Sequence, residues 1–259
     1  MKKTIISFVV LAVVAVAAKA QSVTYTATGP GDNHGETLNA AVTFTVSNLD
    51  LIVTLSNTAT FDANDAPDIL TSVFFGIADD PKLTPVSADL APGSLLLGRK
   101  VPVDFDGDVD GEWAYRNDLL KAPLGADEGI SSTSSKWFSK KYLFPGEAIR
   151  GAGPLSGIHF GLTTLNDLPP NDRSDIKNQN LIQDSVVFTF AGLPEDFDLS
   201  EISDVSFHYG TALKPPDLEG QMPTTISEPN TIALVIVGLL GALAGVRRKI
   251  ARPFDTTAP

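Results

Sequence analysis

The 259-residue chain is 43% hydrophobic and 19% charged, has no cysteine and carries a formal charge of −12. Its apolar content suffices for one sizeable core, while the missing cysteine excludes disulfides, thiolate metal sites and cysteine nucleophiles. Lys2, Lys3, Lys19, Arg247, Arg248, Lys249 and Arg252 lie at the ends, so the middle holds 12 basic against 30 acidic residues, about −18, with no basic cluster to bind nucleic acid or an anionic lipid surface.

At the N-terminus, Lys2 and Lys3 precede an apolar run over 5–18. Ala18 and Ala20 place small residues at the two positions a signal peptidase inspects, which predicts a signal peptide over 1–20 and Gln21 as the first mature residue. The run of about 14 residues is shorter than the ~20 a membrane-crossing helix needs.

Residues 21–212 read as strands and loops. Val42, Phe44 and Val46 alternate with Thr43, Thr45 and Ser47, and beyond Asn48-Leu49-Asp50 the residues Leu51, Val53 and Leu55 alternate with Ile52, Thr54 and Ser56. That is a hairpin with one apolar face. Further β-rich runs stand at 23–27, 69–77, 95–97, 113–116, 158–162, 185–190 and 205–209, separated by Gly, Pro, Asn and Asp clusters. The expected fold is all-β: an antiparallel β-sandwich, jelly-roll or immunoglobulin-like, because each strand has one apolar face to bury.

Asp106, Asp108 and Asp110, with Gly111 following, give carboxylates at positions one, three and five and a glycine at six, the opening of a calcium loop. Position twelve, where a bidentate Glu closes such a shell, is Asn117. The competing reading is an acidic turn whose Asp and Gly residues suit tight bends. His34, His159 and His208 form no spaced metal pair. Trp113, Tyr115, Trp137 and Phe138 offer flat faces for sugar rings, against the usual role of aromatics as core. A calcium-dependent carbohydrate-binding module is therefore the alternative function. No G-x-S-x-G elbow or phosphate loop occurs.

Residues 213–226, with Pro215, Pro216, Gly220 and Pro223, read as a linker. Beyond it stand Ser227, Glu228 and Pro229, an apolar helix predicted over 231–246, and Arg247-Arg248-Lys249. The uncharged span between Glu228 and Arg247 is about 27 Å long at 1.5 Å per residue, close to the ~30 Å hydrocarbon thickness. Basic residues stay on the cytoplasmic side, so Arg247, Arg248 and Lys249 act as a membrane stop and leave Glu228 and Pro229 at the outer surface.

These parts, in this order over 227–252 with a short tail at 253–259, resemble the PEP-CTERM sorting signal recognised by exosortases. Ser227 stands where the family has its leading proline. The resemblance implies an inner-membrane intermediate, cleavage near Glu228-Pro229 by the membrane-embedded exosortase, and delivery to the cell surface or extracellular matrix of a Gram-negative-type bacterium. In the body, Gly111-Glu112-Trp113-Ala114-Tyr115-Arg116, Gly129-Ile130-Ser131-Ser132, Phe144-Pro145-Gly146, Ser185-Val186-Val187-Phe188-Thr189-Phe190 and 202–211 resemble the ectodomain of one family of exosortase-dependent surface proteins. No catalytic role attaches to that ectodomain. The expectation is a non-catalytic surface protein without a catalytic residue or bound cofactor. Its expected partners are signal peptidase, exosortase, the inner membrane and an extracellular polysaccharide.

Overall fold

A computed structural model describes residues 21–31, 35–98, 101–120, 122–133, 147–149, 157–167, 176–211 and 217–222. All of them belong to a unit ending at Met222; a second unit, Pro223–Pro259, lies outside the described residues.

The chain runs through strands β1 (Gln21–Pro30), β2 (Thr37–Ser47), β3 (Asp50–Asn57), β4 (Leu70–Ile77), β5 (Thr84–Leu90), β6 (Leu95–Leu97) and β7 (Ala114–Arg116). It continues through β8 (Glu128–Ser131), β9 (Glu147–Ala148), β10 (Leu162–Thr163), β11 (Leu181–Gln183), β12 (Ser185–Ala191), β13 (Ile202–Tyr209) and β14 (Asp217–Glu219). The helical pieces among the described residues are single 3₁₀ turns, so the protein is mostly β.

The predicted hairpin is β2 and β3, with Ser47 opposite Asp50 and Asn48 in the left-handed region at φ 58°, which asparagine tolerates. It forms the middle of a sheet ordered β1-β2-β3-β12-β5, antiparallel throughout. The second sheet runs β6-β11-β10-β4-β8-β7-β9; β13 also pairs with β4, and β14 with β13. One pairing departs from the antiparallel expectation: β10 and β11 are parallel, Leu162 beside Ile182. The long connection between them permits what a tight hairpin cannot.

Alternation decides what each sheet buries. On β2, Leu38, Ala40, Val42 and Phe44 are fully enclosed while Thr43 and Thr45 face outward. The two sheets meet through aromatic contacts, Phe44 on Phe75 at 5.0 Å and Trp113 on Phe188 at 5.1 Å, both edge to face. Tyr25 of β1 donates its hydroxyl to the Ile202 carbonyl of β13 at 2.6 Å, joining one sheet to the other. Fully burying a phenylalanine is worth about 1.5–3 kcal/mol, so Phe44, Phe75, Phe188 and Phe190 form a large share of the core.

Both flanks of the first sheet are covered. Along β5, Leu90 N–H donates to the Gly107 carbonyl at 2.9 Å and Val109 N–H to the Ala88 carbonyl at 2.9 Å. Along β1, Thr26 and Gln221 exchange backbone bonds of 3.1 and 2.7 Å. Unpaired edges invite association with other strands, and these two segments occupy those edges.

The structure departs from the sequence reading in three places. Within 158–162, Ile158, His159 and Phe160 lie in a turn closed by Gly161 N–H on the Ile158 carbonyl at 2.9 Å, and the strand starts only at Leu162. Gly161 enforces this, because a Cβ there would sit 2.6 Å from Ile69 Cγ2. Within the stretch read as a linker, Asp217–Glu219 form β14, since Leu218 has an apolar site to fill. Finally, β5, β8 and β11 carry no strong alternation and stand where the sequence suggested loops.

Candidate functional site

The Asp-rich loop lies against β5. Asp106 Oδ1 accepts the Asp108 N–H at 3.2 Å, and Asp108 Oδ1 accepts the Asp110 N–H at 2.8 Å, a pair of successive Asx turns. Asp110 is buried, and its Oδ1 accepts the Ala88 N–H of β5. Asp108 also forms an isolated bridge with Asp89. Each aspartate thus directs an oxygen to a backbone N–H, and the loop pairs with a strand edge. Among the described residues no three His, Cys, Asp or Glu side chains are grouped so as to hold a metal ion.

The aromatic candidates divide. Trp113 is 0% exposed against Phe188, and Tyr115 is buried with its ring 4.7 Å from Phe190. Neither can stack on a sugar, because both face the core. Trp137 and Phe138 lie outside the described residues.

The outward face of the first sheet carries hydroxyls in rows. Thr24, Thr43, Thr54 and Val187 stand side by side, and next to them Ser22, Thr45, Ile52, Thr189 and Ser87. Thr24 and Thr43 hydroxyls bond each other at 2.7 Å, as do those of Ser56 and Ser185 at 2.7 Å. These two rows carry no charge, in a chain whose body is strongly acidic.

On the second sheet a polar row crosses four strands. Asp217, His208, Ser72 and Ser131 are successive neighbours on β14, β13, β4 and β8. His208 Nδ1 lies 2.8 Å from Asp217 Oδ1, while Ser72 and Ser131 hydroxyls bond each other at 2.7 Å. His208 Nε2 and Ser206 Oγ are buried without a hydrogen-bond partner. The order acid, imidazole, hydroxyl is that of a nucleophilic triad, but the histidine makes no bond to either serine, and Ser72 and Ser131 are fully buried. A substrate carbonyl has no route to them, so the row is a structural seam. The sequence hid it because Asp217 sits among linker-like residues and Ser72 and Ser131 in unrelated segments.

Glu128 is the most unusual ionisable group. It is fully buried, opposite Phe75 on β4, and neither carboxyl oxygen has a hydrogen-bond partner. Desolvation pushes its pKa up to about 8; the nearby Tyr115 hydroxyl favours the ionised form, and Asp127, Asp80 and Asp118 oppose it by repulsion. The same burial, with Glu128 as the leading charge, drives the Tyr115 phenol upward. Glu128 therefore holds a proton at neutral pH.

The processing residues Ala18, Ala20, Ser227, Glu228 and Pro229, the helix over 231–246 and the stop at Arg247, Arg248 and Lys249 lie outside the described residues. Among the described residues no helix is long and apolar enough to cross a membrane. His34 also lies outside them, and His159 Nδ1 accepts the Asn180 N–H at 3.1 Å. Comparison with protein-family models, with curated proteins and with solved structures yields no match.

Proposed function

We propose that the chain is an exported, non-catalytic surface or matrix protein: an antiparallel β-sandwich released by signal peptidase, held in the inner membrane by a C-terminal helix and processed there by an exosortase. The observation that carries this reading is the ordered set Ser227-Glu228-Pro229, the uncharged run to Val246 and the cluster Arg247-Arg248-Lys249.

Features of the body support it. Strand β1 opens at Gln21, the residue that cleavage after Ala20 exposes. The cysteine-free core is closed by burial alone, which suits a compartment in which disulfides are not required. Its buried Ser72, Ser131 and His208 are used in holding strands together, which leaves no assembled nucleophile among the described residues. The uncharged hydroxyl rows on Thr24, Thr43, Thr54, Thr45 and Thr189 form the surface best suited to a neutral extracellular polysaccharide.

Cell fractionation of Glu228→Ala tests the processing step. The substituted chain is expected to be exported and then to accumulate in the inner membrane. Release equal to that of the unsubstituted chain would count against the exosortase.

A further inference from the structure

The segment 217–221 occupies a groove that the rest of the body builds without it. One wall is the edge of β1, where Thr26 N–H and C=O both bond Gln221. The other is β13, where Ser206, Phe207 and His208 stand opposite Glu219, Leu218 and Asp217, and Gly220 N–H donates to the Val205 carbonyl at 2.8 Å. The groove is shaped for its occupant. Leu218 takes the place that a side chain at Gly29 would fill, since a Cβ there would collide with Leu218 Cδ2. At Gly220 a Cβ would come within 2.9 Å of Val205 Cγ1 and 3.1 Å of the Val205 carbonyl, so a glycine is required opposite Val205. His208 Nδ1 meets Asp217 Oδ1 at the upstream end.

The connections on either side hold this strand loosely in its own chain. Residues 209–216 separate the paired His208 and Asp217, a connection longer than the ~2–5 residues of most hairpins. It contains Pro215-Pro216, which favour extension over reversal. Downstream, Pro223 begins a separate unit. The edges of β1 and β13 stay unpaired whenever the strand leaves, and an unpaired edge is satisfied equally well by the same segment from another molecule.

We infer that Asp217–Gln221 is an exchangeable strand, and that the β1–β13 groove of one copy accepts this segment from a second copy of the chain. All contacts made within one chain are reproduced between chains: the Thr26–Gln221 bonds, Leu218 over Gly29 and His208 against Asp217. The occupant is a second copy because the groove demands an apolar residue two positions before a glycine, with an acid to meet His208, and this chain carries that pattern at its own exit. The association is heterologous, each copy donating at one end and accepting at the other, so it extends to chains of molecules unless a two-fold arrangement closes it. The inference does not depend on export or on cleavage at Glu228.

The absence of cysteine allows a clean test. Thr26 and Gln221 are exposed bridge partners, and the Cα spacing of antiparallel neighbours, about 4.5–5.5 Å, is within disulfide range. Full-length chains bearing Thr26→Cys and Gln221→Cys are co-expressed with different tags, oxidised and run without reductant; the doubly substituted chain reports the cis contact. A disulfide-linked heterodimer carrying both tags, absent when either single variant is expressed alone, is the expected result. Monomers alone from the co-expressed pair, with an efficient intrachain disulfide in the double variant, would overturn the exchange. A double variant that forms no disulfide would overturn it too, since the strand would then not lie in the groove.

Discussion

His208 Nδ1 lies 2.8 Å from Asp217 Oδ1, and this pair ties the last described strand to the sheet. The imidazole is fully buried while Asp217 is 31% exposed, so the bond sits at the rim of the body where β14 leaves it. Asp217→Ala strands the histidine without its acceptor. The expected cost is about 1–3 kcal/mol of stability, the usual penalty for orphaning a buried polar group. Hydrogen exchange checks the mechanism: the Gly220 and Gln221 amides should lose protection before those of β2 and β3. Equal protection across all of these amides would show that the pair does not hold β14.

A pH dependence follows from Glu128. Its folded pKa of about 8 lies above the ordinary 4.5, so the folded state keeps a proton that the unfolded chain releases. The associated stability is fully present below pH 4.5 and is lost as the pH rises through about 8. The slope within that window is roughly 1.4 kcal/mol per unit. Glu128→Gln removes it: denaturant titrations should show a variant more stable than the parent at pH 8 and a flatter profile between pH 5 and 8. Parallel profiles for the two proteins would contradict the burial of this carboxyl.

Asp110 anchors the loop that covers β5. Removing its carboxylate with Asp110→Ala leaves the Ala88 N–H without its acceptor and exposes a strand edge. A loss of about 2 kcal/mol in urea unfolding is expected, together with a greater tendency to aggregate. Asp106→Ala, which removes an exposed Asx contact, should cost well under 1 kcal/mol. Because these oxygens bond backbone N–H groups, the melting temperature of the unsubstituted protein should be the same with and without several millimolar calcium.

Gly192 marks a backbone constraint. Its φ is 111°, and a Cβ would meet the Lys82 carbonyl at 2.8 Å. Gly192→Ala therefore combines a disfavoured dihedral with a clash against main chain, for an expected loss of roughly 1–3 kcal/mol in thermal or chemical unfolding. Gly93→Ala offers the comparison: its φ is 94°, but no atom lies within 4 Å of the added Cβ, so the cost should be smaller.

Strands with a buried and an outward face were legible from sequence, as in β2 and β3, where Val42, Phe44, Val53 and Leu55 alternate with threonines. Edge and short strands were not. β5 holds Pro85, Val86, Ser87, Ala88 and Asp89, whose only fully enclosed side chain is Ala88, so no apolar period announces it. β14 is three residues long, and its one apolar residue, Leu218, has meaning only beside Gly29, distant in sequence. The Asp loop was legible as acidic and turn-forming, while its role on β5 depends on Ala88, Leu90 and their unpaired edge. Glu128 gave no signal, because a glutamate beside an aspartate reads as surface until Phe75 and Tyr115 enclose it.

The central claim is export followed by cleavage at the C-terminal signal, and the intact mass of the protein recovered from the cell surface tests it most directly. The predicted mass is that of a chain beginning at Gln21 and ending near Glu228. A chain that still runs to Pro259 would contradict processing and leave a protein anchored by its tail.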